Sequence, residues 1–103
     1  MRKDRWDNEA TEELLSAVLR LKNLGEAKAF FRDLLTEKEL LEFGNRWKAA
    51  QMLSRGVPYS EIERQTWMSS TPIARIQKWI KEGKGGYRRM LARTTHYHAH
   101  TFR

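Results

Sequence analysis

Between Tyr59 and Ile80 the chain reads YSEIERQTWMSSTPIARIQKWI, and within it Ser69, Ser70, Thr71, Ala74, Arg75 and Lys78 form a set whose chemistry suits the edges of DNA bases. Serine and threonine hydroxyls both donate and accept, the methyls of Thr71 and Ala74 match the thymine methyl, and an arginine favours guanine. Such a set works only if a helix carries it, N-terminal end first, into the major groove. Ile62, Thr66, Met68, Ile73 and Ile76 are spaced to close a small core between two short helices joined by a polar turn, which predicts a helix-turn-helix over residues 59–82. Ser69 and Ser70 also suit the cap of the second helix, so capping and base contact compete for the same hydroxyls. Pro72 is tolerated there because first-turn amides have no intrahelical partner.

Charge follows the same division. Residues 1–53 carry ten Lys/Arg and ten Asp/Glu, whereas residues 54–103 carry ten Lys/Arg against only Glu61, Glu63 and Glu82, so the entire net charge of +7 lies in the second half. A basic surface gathers phosphates by releasing their condensed counterions. Arg64, Lys81, Lys84, Arg88 and Arg89 are therefore the expected phosphate contacts, the alternative being an ordinary solvated cationic face.

The elements that must position this unit read as helices. One is expected from a cap at Asp7 or Asn8 through Leu14, Leu15, Val18, Leu21 and Leu24, ending at Asn23-Leu24-Gly25. A second, EAKAFFRDLL, stripes Ala27, Phe30, Phe31 and Leu34. A third opens with Thr36 and Glu39 as a reciprocal cap and carries Leu40, Phe43, Trp47, Ala50 and Leu53 to an end near Arg55-Gly56. The aromatic residues at helical spacing read as core or subunit interface. After GKGG, which lacks the preceding strand and the Lys-Ser/Thr pair of a phosphate loop, a last short helix is expected over 87–92. No segment reads as a strand, so the fold class is all-α. A single domain over 1–92 is expected, with residues 7–56 as dimerisation helices and 93–103 as a disordered basic tail. In that tail His96, His98 and His100 would share one side of an extended chain, a spacing able to hold Zn²⁺, but with no acidic residue nearby no metal site is expected.

Several function classes drop out. The chain has no cysteine, hence no disulfide and no thiolate metal site. No stretch approaches the ~20 apolar residues of a membrane span, and MRKDRWDNE has no secretory apolar core, so a cytoplasmic protein without membrane partners is expected. No nucleophile triad, acid/base pair or metal motif marks an enzyme.

The run from Leu34 to Tyr87 resembles the Trp-repressor superfamily, and most closely its YerC/YecD branch. The resemblance rests on the LT-x-x-E helix start, Gly44-x-Arg46, YSEIE, and SST-x-IARI, and it extends weakly back through LGEAKAFFRDLL. It implies a six-helix subunit, an intertwined homodimer, and sequence-specific binding of double-stranded DNA at a palindromic operator, usually with repression. It also implies a co-repressor pocket: Arg46 and Arg75 match the arginines that sandwich an indole, and Thr36 matches a lining residue. Ile76 and Trp79, however, stand where the tryptophan-binding member has a glycine and a serine. These two large side chains are expected to fill the cavity, leaving no cofactor and no requirement for L-tryptophan.

A further departure from that family is Trp67, at the turn position usually held by glycine. A positive φ there costs a bulky residue about 1 kcal/mol. The expected accommodation is local packing on Pro58 or the helix ends; the alternative puts the indole against DNA or a neighbouring subunit. The competing functional class is a DNA-binding module without regulatory output, transposase-derived or nucleoid-architectural.

Overall fold

The computed structural model describes residues 4–101, with side chains for residues 4–94, and shows six α-helices with no strand among the described residues. Where the sequence predicts one domain over 1–92, the chain groups into two compact units, residues 1–40 and 41–103.

The first unit holds α1 (Glu9–Val18), α2 (Leu24–Leu34) and the opening of α3 (Glu37–Ser54). Each start is fixed by a side chain satisfying amides that the first turn leaves open. Asn8 Oδ1 accepts from the Thr11 amide at 3.0 Å while Thr11 Oγ1 accepts from the Asn8 amide at 3.0 Å, so the expected cap at Asn8 is present. The expected end of that helix is not. Asn23 opens α2 instead: its side chain accepts from the Glu26 amide at 2.9 Å, and the Glu26 carboxylate accepts from the Lys22 amide at 3.0 Å. This reciprocal pair starts a new helix, so α1 stops at Val18, and Leu21 and Leu24 leave its stripe. The Thr36–Glu39 box forms as expected, with the Thr36 amide on Glu39 Oε1 at 3.0 Å and the Glu39 amide on Thr36 Oγ1 at 3.1 Å. Those bonds to the charged form hold the Glu39 carboxyl below its ordinary pKa.

In the second unit α3 ends where Gly56 takes φ +77°, with the Val57 amide donating to the Met52 carbonyl and the Gly56 amide to that of Leu53. That paired closure needs a left-handed residue, which glycine supplies without a Cβ clash. Then follow α4 (Tyr59–Thr66), α5 (Ser70–Glu82) and α6 (Gly86–Thr101). Ala49, Ala50, Met52, Ile62, Ile73, Ile76 and Leu91 form the buried core, bordered by Trp47, Leu53, Val57, Met68, Ile80 and Tyr87. Tyr87 stacks on Trp47 at 6.4 Å between ring centroids, which ties the start of α6 to α3. At Gly83 an added Cβ would meet the Trp79 carbonyl oxygen at 2.5 Å, so only glycine fits this close of α5.

The last helix is longer than the expected 87–92. No glycine or proline occurs after Gly86, so nothing in the sequence stops α6, and its backbone is helical through Thr101 rather than a tail from residue 93. The side chains of His96, His98 and His100 lie outside the described residues, and the helical backbone there removes the extended spacing that would align them.

Candidate nucleic-acid interface

The helix-turn-helix is closed by Ile62 and Thr66 of α4 against Ile73 and Ile76 of α5, none more than 4% exposed. Burying that face turns the other outward. Ser69, Ser70, Thr71, Ala74, Arg75 and Lys78 are all exposed, and from Thr71 to Lys78 they recur at helical spacing on one side of α5. Ser69 occupies the N-cap position by backbone geometry, yet its side chain makes no capping hydrogen bond. Its hydroxyl is therefore not spent on the helix. Lys78 is partly engaged, its Nζ lying 5.7 Å from the centroid of the Trp79 ring.

The turn that aims α5 is strained and clamped. Trp67 ends α4 in the left-handed region at φ 63°, ψ 12°, and it is the only non-glycine residue with positive φ among the described residues. Thr66 holds both sides of it: Oγ1 donates to the Ile62 carbonyl at 2.7 Å and accepts from the Met68 amide at 3.3 Å. Local packing of the indole, the expected accommodation, is not what the structure shows. Trp67 is 92% exposed. With so little of its surface covered, the indole packs on neither Pro58 nor the helix ends.

Among the expected phosphate contacts, Lys81, Lys84, Arg88 and Arg89 are exposed. Arg64 is exposed but already engaged in an ion pair with Glu61, its Nε donating to Glu61 Oε1 at 3.1 Å. Gln65 donates to the same carboxylate at 2.6 Å. The Arg64 guanidinium, with help from Gln65, holds the Glu61 carboxyl down at about 2. Arg93, four residues beyond Arg89, joins Arg88 and Arg89 on one surface of α6, a contact that the expected helix over 87–92 leaves out.

Beside the turn, a cavity of about 650 Å³ is lined by Glu42, Asn45 and Arg46 of α3, by Trp67 and Met68, by Pro72, Arg75, Ile76 and Trp79 of α5, and by Tyr87. The Arg46 guanidinium lies 5.3 Å from the Phe43 ring centroid, and burial raises the Tyr87 hydroxyl's pKa against the opposing pull of Arg46.

The family model of the Trp repressor protein matches residues 9–95. The chain belongs to the Trp repressor family. It is 32% identical over 93 residues to the uncharacterized protein YerC of Bacillus subtilis (strain 168), covering 90% of this chain and 89% of that one. Among solved structures it is similar to a TrpR-like protein from Eubacterium eligens, with TM-score 0.83, 34% identity, and 88% and 94% of the two chains covered. A candidate Trp repressor from Staphylococcus aureus superposes with TM-score 0.83 at 30% identity over 92% of this chain and 95% of its own. Membership places the chain among helical DNA-binding regulators rather than enzymes. No helix among the described residues is long and apolar enough to cross a membrane.

Within the Trp repressor family this chain's pocket region differs from the sequence expectation in one respect. Ile76 and Trp79 do not fill the space: Ile76 points into the helix-turn-helix core at 4% exposure, and Trp79 stands half-exposed, so both are walls of an open cavity between Arg46 and Arg75. Thr36 belongs to the first unit, where its hydroxyl donates to Glu39 Oε1 at 3.1 Å and accepts from the Glu39 amide.

Proposed function

We propose that this protein is a homodimeric, cytoplasmic transcriptional regulator that reads a two-fold symmetric operator in double-stranded DNA through α5 and represses from it without L-tryptophan. The observation that carries the reading is the pairing of a fully closed α4–α5 core with an outward row of Ser69, Ser70, Thr71, Ala74, Arg75 and Lys78, on the half of the chain that holds the whole +7 charge. Phosphate contact falls to Lys81, Lys84, Arg88, Arg89 and Arg93, with Arg64 available once it leaves Glu61. Since Ile62, Thr66, Ile73 and Ile76 close the reading head with this chain's own side chains, a ligand in the Arg46–Arg75 cavity is not needed to assemble it.

Dimerisation is supported by what the first unit lacks. Neither α1 nor α2 contains a buried residue, while Leu15, Leu19, Leu24 and Leu34 are between 44% and 85% exposed. Apolar exposure of that extent marks a surface for a partner, and a second copy also supplies the two-fold axis of a palindromic site. Selection from a random duplex library tests the reading: a palindromic motif should emerge, and Thr71→Ala should relax one position in each half-site. Light scattering on the free protein should give twice the chain mass of 12.3 kDa. Recovery of unrelated sequences, or a monomer mass, would contradict it.

A further inference from the structure

We propose that Trp67 is a DNA-backbone contact, its indole lying against the deoxyribose of the strand that borders the groove entered by α5; this rests on the function proposed above. Three observations converge on it. Trp67 holds a left-handed backbone that disfavours a bulky side chain, and such conformations persist where the surrounding structure enforces them, most often at binding sites. Its indole, 92% exposed, has no structural use in the subunit: it covers no core residue and only borders the Arg46–Arg75 cavity. It also stands at the mouth of the reading head. Only Met68 separates it from Ser69, the N-cap of α5, so the two Cα atoms lie within about 7.6 Å.

The surroundings select DNA over other occupants. Between Gln65 and Lys81 the chain carries Arg75, Lys78 and Lys81 and no acidic residue, while Arg64 is paired with Glu61, and the net field favours a polyanion. An indole offers an apolar face for the sugar and one N–H for a phosphate oxygen, and neither recognises a base. Trp67 therefore strengthens binding without choosing sequence.

The test uses the full chain, the selected duplex and a scrambled one, with Trp67→Gly and Trp67→Phe. Glycine accepts the left-handed turn freely, so Trp67→Gly should keep or raise the thermal midpoint. Its Kd should rise about ten-fold on both duplexes, from losing roughly a quarter of the side chain's apolar area in burial, with footprint boundaries unchanged. Trp67→Phe should recover most of the affinity, and acrylamide quenching of the wild-type protein should show one tryptophan shielded by DNA that is missing in Trp67→Phe. Wild-type affinity in Trp67→Gly would overturn the proposal, as would a lowered thermal midpoint, which would make the ring a packing residue, or a shifted monomer–dimer equilibrium, which would place it in the subunit interface. If the wild-type protein itself gave no discrete site, the failure would lie in the functional reading beneath it.

Discussion

Replacing Thr66 with valine removes a single hydroxyl from the centre of the helix-turn-helix while keeping the side chain's shape. Thr66 is 1% exposed, and its Oγ1 joins the last turn of α4 to the amide of Met68 across the strained Trp67. The Ile62 carbonyl keeps its ordinary helical amide donor after the substitution and loses little. The Met68 amide has no such reserve, and leaving a partly buried donor unpaired costs about 1–2 kcal/mol, offset by less than 1 kcal/mol from the extra buried methyl. A net loss of about 1 kcal/mol corresponds to a fall of about 4–8 °C in Tm for a chain of this size. Guanidinium unfolding followed by circular dichroism at fixed protein concentration measures it, and hydrogen exchange at the Met68 amide localises it. Thr66→Ser serves as the control: it loses a core methyl at a similar cost but retains the clamp, so exchange at Met68 should stay slow. A Thr66→Val protein as stable as wild type, with Met68 equally protected, would refute the claim that this hydroxyl holds the turn.

Other expectations concern binding and pH. Arg88→Ala with Arg89→Ala should lower the slope of log K against log salt by about 2 without changing the preferred sequence, since each phosphate contact contributes about 0.9. Glu61→Gln should tighten DNA binding at low salt, because Arg64 loses the carboxylate that now engages it. Tyr87 has a raised pKa in the folded chain, so the protonated form is favoured there; its contribution is present below pH 10 and is lost as pH rises through the folded value. Wild-type stability should accordingly decline more steeply above pH 10 than that of Tyr87→Phe, as read by denaturant midpoints across the alkaline range.

Much of this architecture was legible because capping and helical periodicity are local. Thr36 with Glu39, Gly56 after α3, and the apolar spacing of Ile62, Thr66, Ile73 and Ile76 each announce themselves within a few residues. Asn23 misled for the same local reason. An asparagine followed by leucine and glycine serves equally as the end of one helix or the cap of the next, and only the Glu26 carboxylate reaching back to Lys22 decides between them. The length of α6 was hidden by polar composition, which resembles a tail although no residue after Gly86 breaks a helix. At the candidate site, exposure along α5 followed from the core pattern, but the orientations of individual side chains did not. Ile76 turns into the core, as its spacing requires, and Trp79 toward solvent, so the two wall the cavity that their volumes were expected to fill. The turn position of Trp67 implied either a strained left-handed backbone or a rearranged turn without deciding between them, and it left the direction of the ring open.

The central claim is that α5 reads a symmetric DNA site with a head that needs no ligand to form. Hydroxyl-radical footprinting of the full chain on the selected duplex, without added L-tryptophan and at physiological salt, tests it most directly. Two protected half-sites related by a dyad and centred about one helical turn, 34–36 Å, apart are expected, each lost when Ser70 and Thr71 are both replaced by alanine. Uniform protection along the duplex, or a footprint that forms only after L-tryptophan is added, would contradict the account.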